Sequence, residues 1–122
     1  MKLKKIIPLA LGATLLFISM SGCTAIRNMA IENSIKNEKG ANDEKKVAAF
    51  EKKFNQVLED VDNKEDYKKI PFDSNVDTEE FISNSYKLWD KQISKEEFVS
   101  KGTKKYPDYK ETYNYLADEF TK

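Results

Sequence analysis

The stretch Asp43–Asp62, D-E-K-K-V-A-A-F-E-K-K-F-N-Q-V-L-E-D-V-D, decides the fold class. Val47, Phe50, Phe54, Val57 and Val61 recur at spacings of 3, 4, 3 and 4 residues. At about 100° per residue, that spacing lays one apolar stripe along a helix. Leu58 widens the stripe, and Lys45, Lys46, Glu51, Lys52, Lys53, Glu59 and Asp60 fall mostly on the opposite side. A coiled-coil seam needs roughly three or four heptads, and this one lasts barely two. The stripe is therefore read as the core-facing side of an amphipathic helix over 43–62. A second reading gives it to self-association, in a structural spacer built from copies of the chain.

Downstream, two segments share one helix-start pattern. Val76-Asp77-Thr78-Glu79-Glu80-Phe81 matches Ile93-Ser94-Lys95-Glu96-Glu97-Phe98. Each places an apolar residue before a good N-cap, an acid three residues after the cap and Phe one further on, which is a capping box with a hydrophobic staple. The acids also face the positive end of the helix dipole. A third start is expected where Asp108 and Glu111 follow Pro107, and Tyr109, Tyr113, Leu116 and Phe120 then share a face. Pro71 breaks the connector 63–76, which Ile70 and Phe72 are expected to pin to the core. The echo spans only two copies at a period of 17, too short for a solenoid. The expectation is an all-α bundle of about four helices, over 43–62, 77–91, 94–104 and 108–121. Residues 24–40 are only weakly periodic. They read either as a partly helical tether or as a first helix of the bundle, in which Ile26, Met29 and Ala30 could share a face, as could Ile31 and Ile35.

Composition removes several function classes. The chain has 122 residues, 21 Lys+Arg against 21 Asp+Glu, no His and one Cys. Without His there is no His-based triad or proton shuttle, and most zinc sites are excluded. One Cys excludes an intrachain disulfide. Zero formal charge leaves no overall basic footprint for nucleic acid. Glu79/Glu80 and Glu96/Glu97 are neighbours that diverge on a helix and do not face each other across a cleft, as paired-carboxylate chemistry requires. No phosphate-binding Gly-rich loop occurs. No cofactor, metal or enzymatic activity is expected.

The N-terminus carries a distinct message. Met1-Lys2-Leu3-Lys4-Lys5 is a basic start, and Ile6–Ser19 follows without a charge. That run is shorter than the ~20 apolar residues of a spanning helix and has signal-peptide length. Met20-Ser21-Gly22-Cys23 comes next, containing the only Cys of the chain. This order resembles the lipobox leader of bacterial lipoproteins. The resemblance implies cleavage between Gly22 and Cys23, removal of 1–22, and diacylglycerol on the Cys23 thiol with a further acyl chain such as palmitate on the new amine. Met20 stands where Leu is more usual. Two or three acyl chains, at about 0.8 kcal/mol per buried CH₂, anchor stably where one does not. Thr24 is not Asp, so the resemblance implies outer-membrane sorting in a Gram-negative host, or the outer face of the single membrane in a Gram-positive one. With Lys2, Lys4 and Lys5 removed, residues 23–122 carry 18 bases against 21 acids, so attraction to anionic lipid is not the anchor.

Two local resemblances add little. Asp90–Phe98 is similar to the back half of an EF-hand, but Tyr86 and Leu88 then occupy ligand positions and Lys91 the invariant Gly, so no calcium site is expected. Residues 93–98 are also similar to the core of SHOCT-type helical assembly modules, through Ile93, Ser94, Glu96, Glu97 and Phe98, with Lys91 where the module has Gly. The aromatics carry the remaining functional expectation. Nine lie between Phe81 and Phe120, more than the periodic faces absorb. Trp89, Tyr106 and Tyr115 fall off those faces and form the candidate surface for a protein partner. The expectation for the whole chain is a lipid-anchored, non-enzymatic module. It would bind another envelope protein, as an exclusion or immunity lipoprotein or an accessory subunit does.

Overall fold

The computed structural model describes residues 24–122, with side chains from Arg27 onward. The leader 1–22, its cleavage point and Cys23 lie outside these residues. Five α-helices follow one another: α1 Thr24–Ile35, α2 Glu44–Asp62, α3 Asn75–Trp89, α4 Lys95–Lys105 and α5 Lys110–Phe120, the last preceded by a 3₁₀ turn at Pro107–Tyr109. No strand occurs among the described residues.

α2 is the longest helix of the bundle, and α3 is the one that touches the other four. Asp43 caps α2, accepting from the amides of Lys45 and Lys46 at 3.0 and 3.2 Å. Its stripe is buried as Phe50, Phe54, Val57, Leu58 and Val61. Phe50 meets Tyr86 and Trp89 of α3 at ring-centroid distances of 5.2 and 5.4 Å. Phe54 meets Phe81 of α3 and Phe120 of α5, each at 5.9 Å. Full burial of such side chains contributes about 1.5–3 kcal/mol each, and tilted or edge-to-face ring pairs add to that. Most of the stripe is thus taken up by the chain's own core, while Val47 stays half-buried beside α1.

Neighbouring helices alternate in direction. α1 runs against α2, with Arg27 and Asn28 at Asn55. α3 also runs against α2, and Lys46 at the start of α2 pairs with Asp90 at the end of α3 at 2.8 Å. α4 returns along α3 so that Lys105 meets Asp77, and α5 returns along α4 so that Asp118 meets Lys95. The bundle therefore has a near end and a far end. The near end gathers the start of α1, the connector 63–73 and the 106–109 turn. The far end gathers the turns 36–43 and 90–94.

The helix starts divide into one that follows its sequence pattern and two that do not. Ser94 caps α4 by accepting from the amide of Glu97 at 3.0 Å. α3 starts earlier than its Asp77 pattern predicts. Ser74 is the cap and accepts from the amide of Asp77 at 3.1 Å, because the Asp77 carboxylate is engaged elsewhere. Val76 consequently stays exposed and forms no staple. Asp108 caps nothing, since Pro107–Tyr109 is a 3₁₀ turn without a side-chain cap and α5 begins only at Lys110. α3 stops at Trp89 rather than 91 through a Schellman ending. Lys91 has φ 63°, its amide bonds the carbonyl of Leu88, and the amide of Gln92 bonds that of Lys87.

α1 settles the two readings of residues 24–40 for the helical one. It is folded against the bundle, with Arg27, Ile31 and Ile35 buried. The turn that follows is closed by Gly40 at φ 85°. Tyr86 donates its hydroxyl proton to the carbonyl of Lys39 there, and a Cβ on Gly40 would stand 2.9 Å from that hydroxyl.

The α4–α5 hairpin depends on Gly102. A Cβ there would sit 2.2 Å from Cε1 of Tyr113, inside the ring's van der Waals envelope. Ala is ordinarily the better helix residue, yet here the overlap dominates. Gly102→Ala is expected to lower stability by about 1–3 kcal/mol, read as a lower denaturant midpoint with an unchanged slope. A gain in stability would show that the two helices do not approach this closely.

Candidate functional site

Two places in the molecule concentrate ionisable groups from different elements. The first is at the near end, around Asp77. Its carboxylate accepts from Lys105 Nζ of α4 at 2.8 Å and from the hydroxyl of Tyr106 at 2.8 Å, and Lys105 also reaches Glu80 at 2.8 Å. The Tyr106 oxygen in turn accepts from the amide of Asp73 at 3.0 Å. Lys105 holds the Asp77 carboxyl below the usual carboxylate range. Burial pushes the Tyr106 phenol up to about 12. Phe72, Phe81 and Tyr113 border a void of about 20 Å³ beside this cluster, room for no more than a water molecule. These polar groups bond one another, so the cluster is a tie joining the connector, α3 and the end of α4. It offers no placed, unoccupied nucleophile or base toward a cleft.

The second place is the groove between α1 and α2, of about 530 Å³. Ile35, Ala41, Val47 and Ala48 contribute apolar surface, and Glu32, Lys36, Glu44 and Glu51 supply charge. Glu32 and Glu51 face each other across it. Burial, then the adjoining Glu32 carboxyl, raise Glu51 to about 7. Oε2 of Glu51 is shielded from solvent and has no hydrogen-bond donor among the protein groups, which a proton shared by the two carboxyls would supply. The groove thus combines apolar surface with two facing carboxyls, of which Glu51 is the one that burial shifts.

The three aromatics expected to form one partner surface do not do so. Tyr106 is only 8 % exposed. Its ring packs edge-on to Phe72 and its hydroxyl is tied to Asp73 and Asp77. The residue is core, which corrects that expectation. Its place in a turn hid this, because the bonds that bury it come from residues about thirty positions earlier. Trp89 is half-buried against Phe50 and Tyr86 toward the far end. Tyr115 is half-buried near the opposite end, stacked on Tyr67 at 4.6 Å, with the Lys64 ammonium 5.6 Å from its ring centroid. The α1–α2 groove was beyond sequence reasoning, since it exists only once α1 is docked.

Among the described residues no group of three His, Cys, Asp or Glu side chains is placed to hold a metal ion. No described helix is long and apolar enough to cross a membrane. No family model, no curated protein and no solved structure matches this chain.

Two outcomes are expected from these geometries. Tyr106→Phe removes one accepted and one donated hydrogen bond and should cost about 1–3 kcal/mol, with helicity by circular dichroism unchanged. For Glu51, the folded-state pKa near 7 lies above its unfolded value, so folding takes up a proton between the two. Its contribution to stability is therefore most favourable on the acid side of that window and declines as pH rises through about 7. Glu51→Gln should flatten the pH dependence of thermal stability across that range. An unchanged slope would show that Glu51 titrates normally.

Proposed function

We propose that this chain is a lipid-anchored protein of the bacterial envelope that works without catalysis, by presenting a small helical bundle to another envelope protein. Its mature form begins at Cys23, which carries diacylglycerol on sulfur and an acyl chain such as palmitate on nitrogen. It stands on the outer membrane of a Gram-negative host or on the outer face of a Gram-positive membrane. The observation that carries the reading is an order of features. A basic start, an uncharged run and small residues lead to the only Cys of the chain, and the next residue, Thr24, opens a helix.

The binding role rests on two further observations. The clustered ionisable groups at Asp77 bond one another rather than a cleft. The α1–α2 groove combines an apolar floor with acidic walls, a composition suited to an apolar segment flanked by basic residues. The groove supplies the docking site that the dispersed aromatics do not. Burial of Phe50, Phe54, Val57 and Val61 in the core favours this reading over a spacer assembled through the Val47–Val61 stripe.

The anchor is tested by metabolic labelling with an alkyne palmitate analogue. Wild type should be labelled and membrane-bound, and Cys23→Ala should be unlabelled and retain its leader. Equal labelling of the two would reject the anchor. The binding role is tested with a photoreactive amino acid at Ala48, in the groove and exposed. A crosslink to a different envelope protein is expected. A crosslink only to a second copy would favour the spacer, and none at all would reject the groove.

A further inference from the structure

The near end of the bundle differs from the far end in composition, and α1 starts on the near side. α1 starts on the residue after Cys23, and Arg27 and Asn28 lie alongside Asn55 of α2. Counting back along antiparallel helices puts residue 24 opposite about residue 59, within one turn of the end of α2. Thr24, the residue that follows Cys23 in sequence, therefore lies at the near end.

The side chains there have the character of a membrane-interface belt. The half-exposed tyrosines Tyr67, Tyr109 and Tyr115 are all at or beside that end, in the connector, in the 106–109 turn and on the first half of α5. The large hydrophobics that stand exposed among the described residues are Met29 and Val76, at 69 % and 60 %. Both lie within two turns of the near-end starts of α1 and α3. Tyrosine is enriched where an apolar ring meets lipid and its hydroxyl meets water, and lysine stems lie along apolar surface while their ammonium groups stay wet. Residues 63–73 and 104–111 carry six lysines against five acids, while Glu59, Asp60, Asp62, Asp77, Glu79 and Glu80 stand on the adjoining helix ends, so contact here rests on the tyrosine and apolar side chains and not on charge. The far-end turns 36–43 and 90–94 contain no aromatic residue, and the half-buried ring beside them is Trp89, held against Phe50 and Tyr86.

From this we propose that the near end rests on the lipid headgroups, with Tyr67, Tyr109, Met29 and Val76 as its contacts. The bundle then stands upright, its far end held about 28 Å away by the 19 residues of α2. The inference rests on the lipid anchor proposed above and adds an orientation to it. The partner groove between α1 and α2 then opens sideways, parallel to the bilayer.

The test uses the acylated chain reconstituted in vesicles of phosphatidylcholine and phosphatidylglycerol whose headgroups bear a nitroxide quencher. Acylation occupies the Cys23 thiol, so Lys68→Cys and Lys91→Cys, both at exposed positions, each take one fluorophore. The label at 68 should be quenched several-fold more strongly than the label at 91. Equal quenching at the two sites in chains that float with the vesicles would overturn the orientation while leaving the anchor intact. A label at 68 shielded by a co-purifying protein would give this surface to a protein and overturn it as well. Chains that do not float and carry an unmodified Cys23 would overturn both.

Discussion

The bundle depends on the stacking of Phe50 and Phe54 along one side of α2. Those two rings receive Phe81, Tyr86 and Trp89 from α3 and Phe120 from α5, and Phe81 and Phe120 pass the contact on to Phe98 of α4. A domain of about 100 residues without disulfides has little reserve of buried surface. Aromatic rings supply large area at low conformational cost, which is why so many are needed here. The same economy fixes what the surface offers. With the rings inside, the outside is left with charged residues, shallow grooves such as that between α1 and α2, and an end where half-buried tyrosines gather.

α1 is the element that joins the N-terminal part of the described chain to the bundle. Ile31 and Ile35 give it affinity for α2 and α3, but apolar burial is non-directional and allows sliding. The directional part comes from Arg27, which is fully buried and donates to Asn55, while Asn55 donates to Asn28. A buried guanidinium is costly unless its donors are used, and that cost falls most heavily on registers other than the observed one. Glu38 accepts from Ser83 and closes the other end of the helix onto α3 at 2.8 Å. These contacts fix the register of α1 on the core from Arg27 onward.

Much of this was legible in the sequence, and the failures have physical causes. The stripe of α2 is readable because its period survives intact from Val47 to Val61. The start of α4 is readable because Ser94 performs the role its type suggests. Asp77 has the same credentials as Ser94 but is drawn into bonds with Lys105 and Tyr106, so Ser74 takes the cap. Tyr106 looks exposed because a turn carries it, and only the fold brings Asp73 and Phe72 over it. α1 is ambiguous in sequence because its buried face includes an arginine and its outer face includes Met29, the reverse of an amphipathic pattern. The Glu32–Glu51 pair and its groove follow from α1 and could not be read before it.

The central claim is that α1 is part of the folded core up to the residue after Cys23, and hydrogen exchange of the full chain reads it most directly. The amides over 28–35 should be protected to the same order as those over 48–62, opening only with the global unfolding of the bundle. Exchange over 28–35 at the rate of an unstructured peptide, with α2 to α5 still protected, would make this segment a tether. The upright orientation and the α1–α2 groove would then both fall.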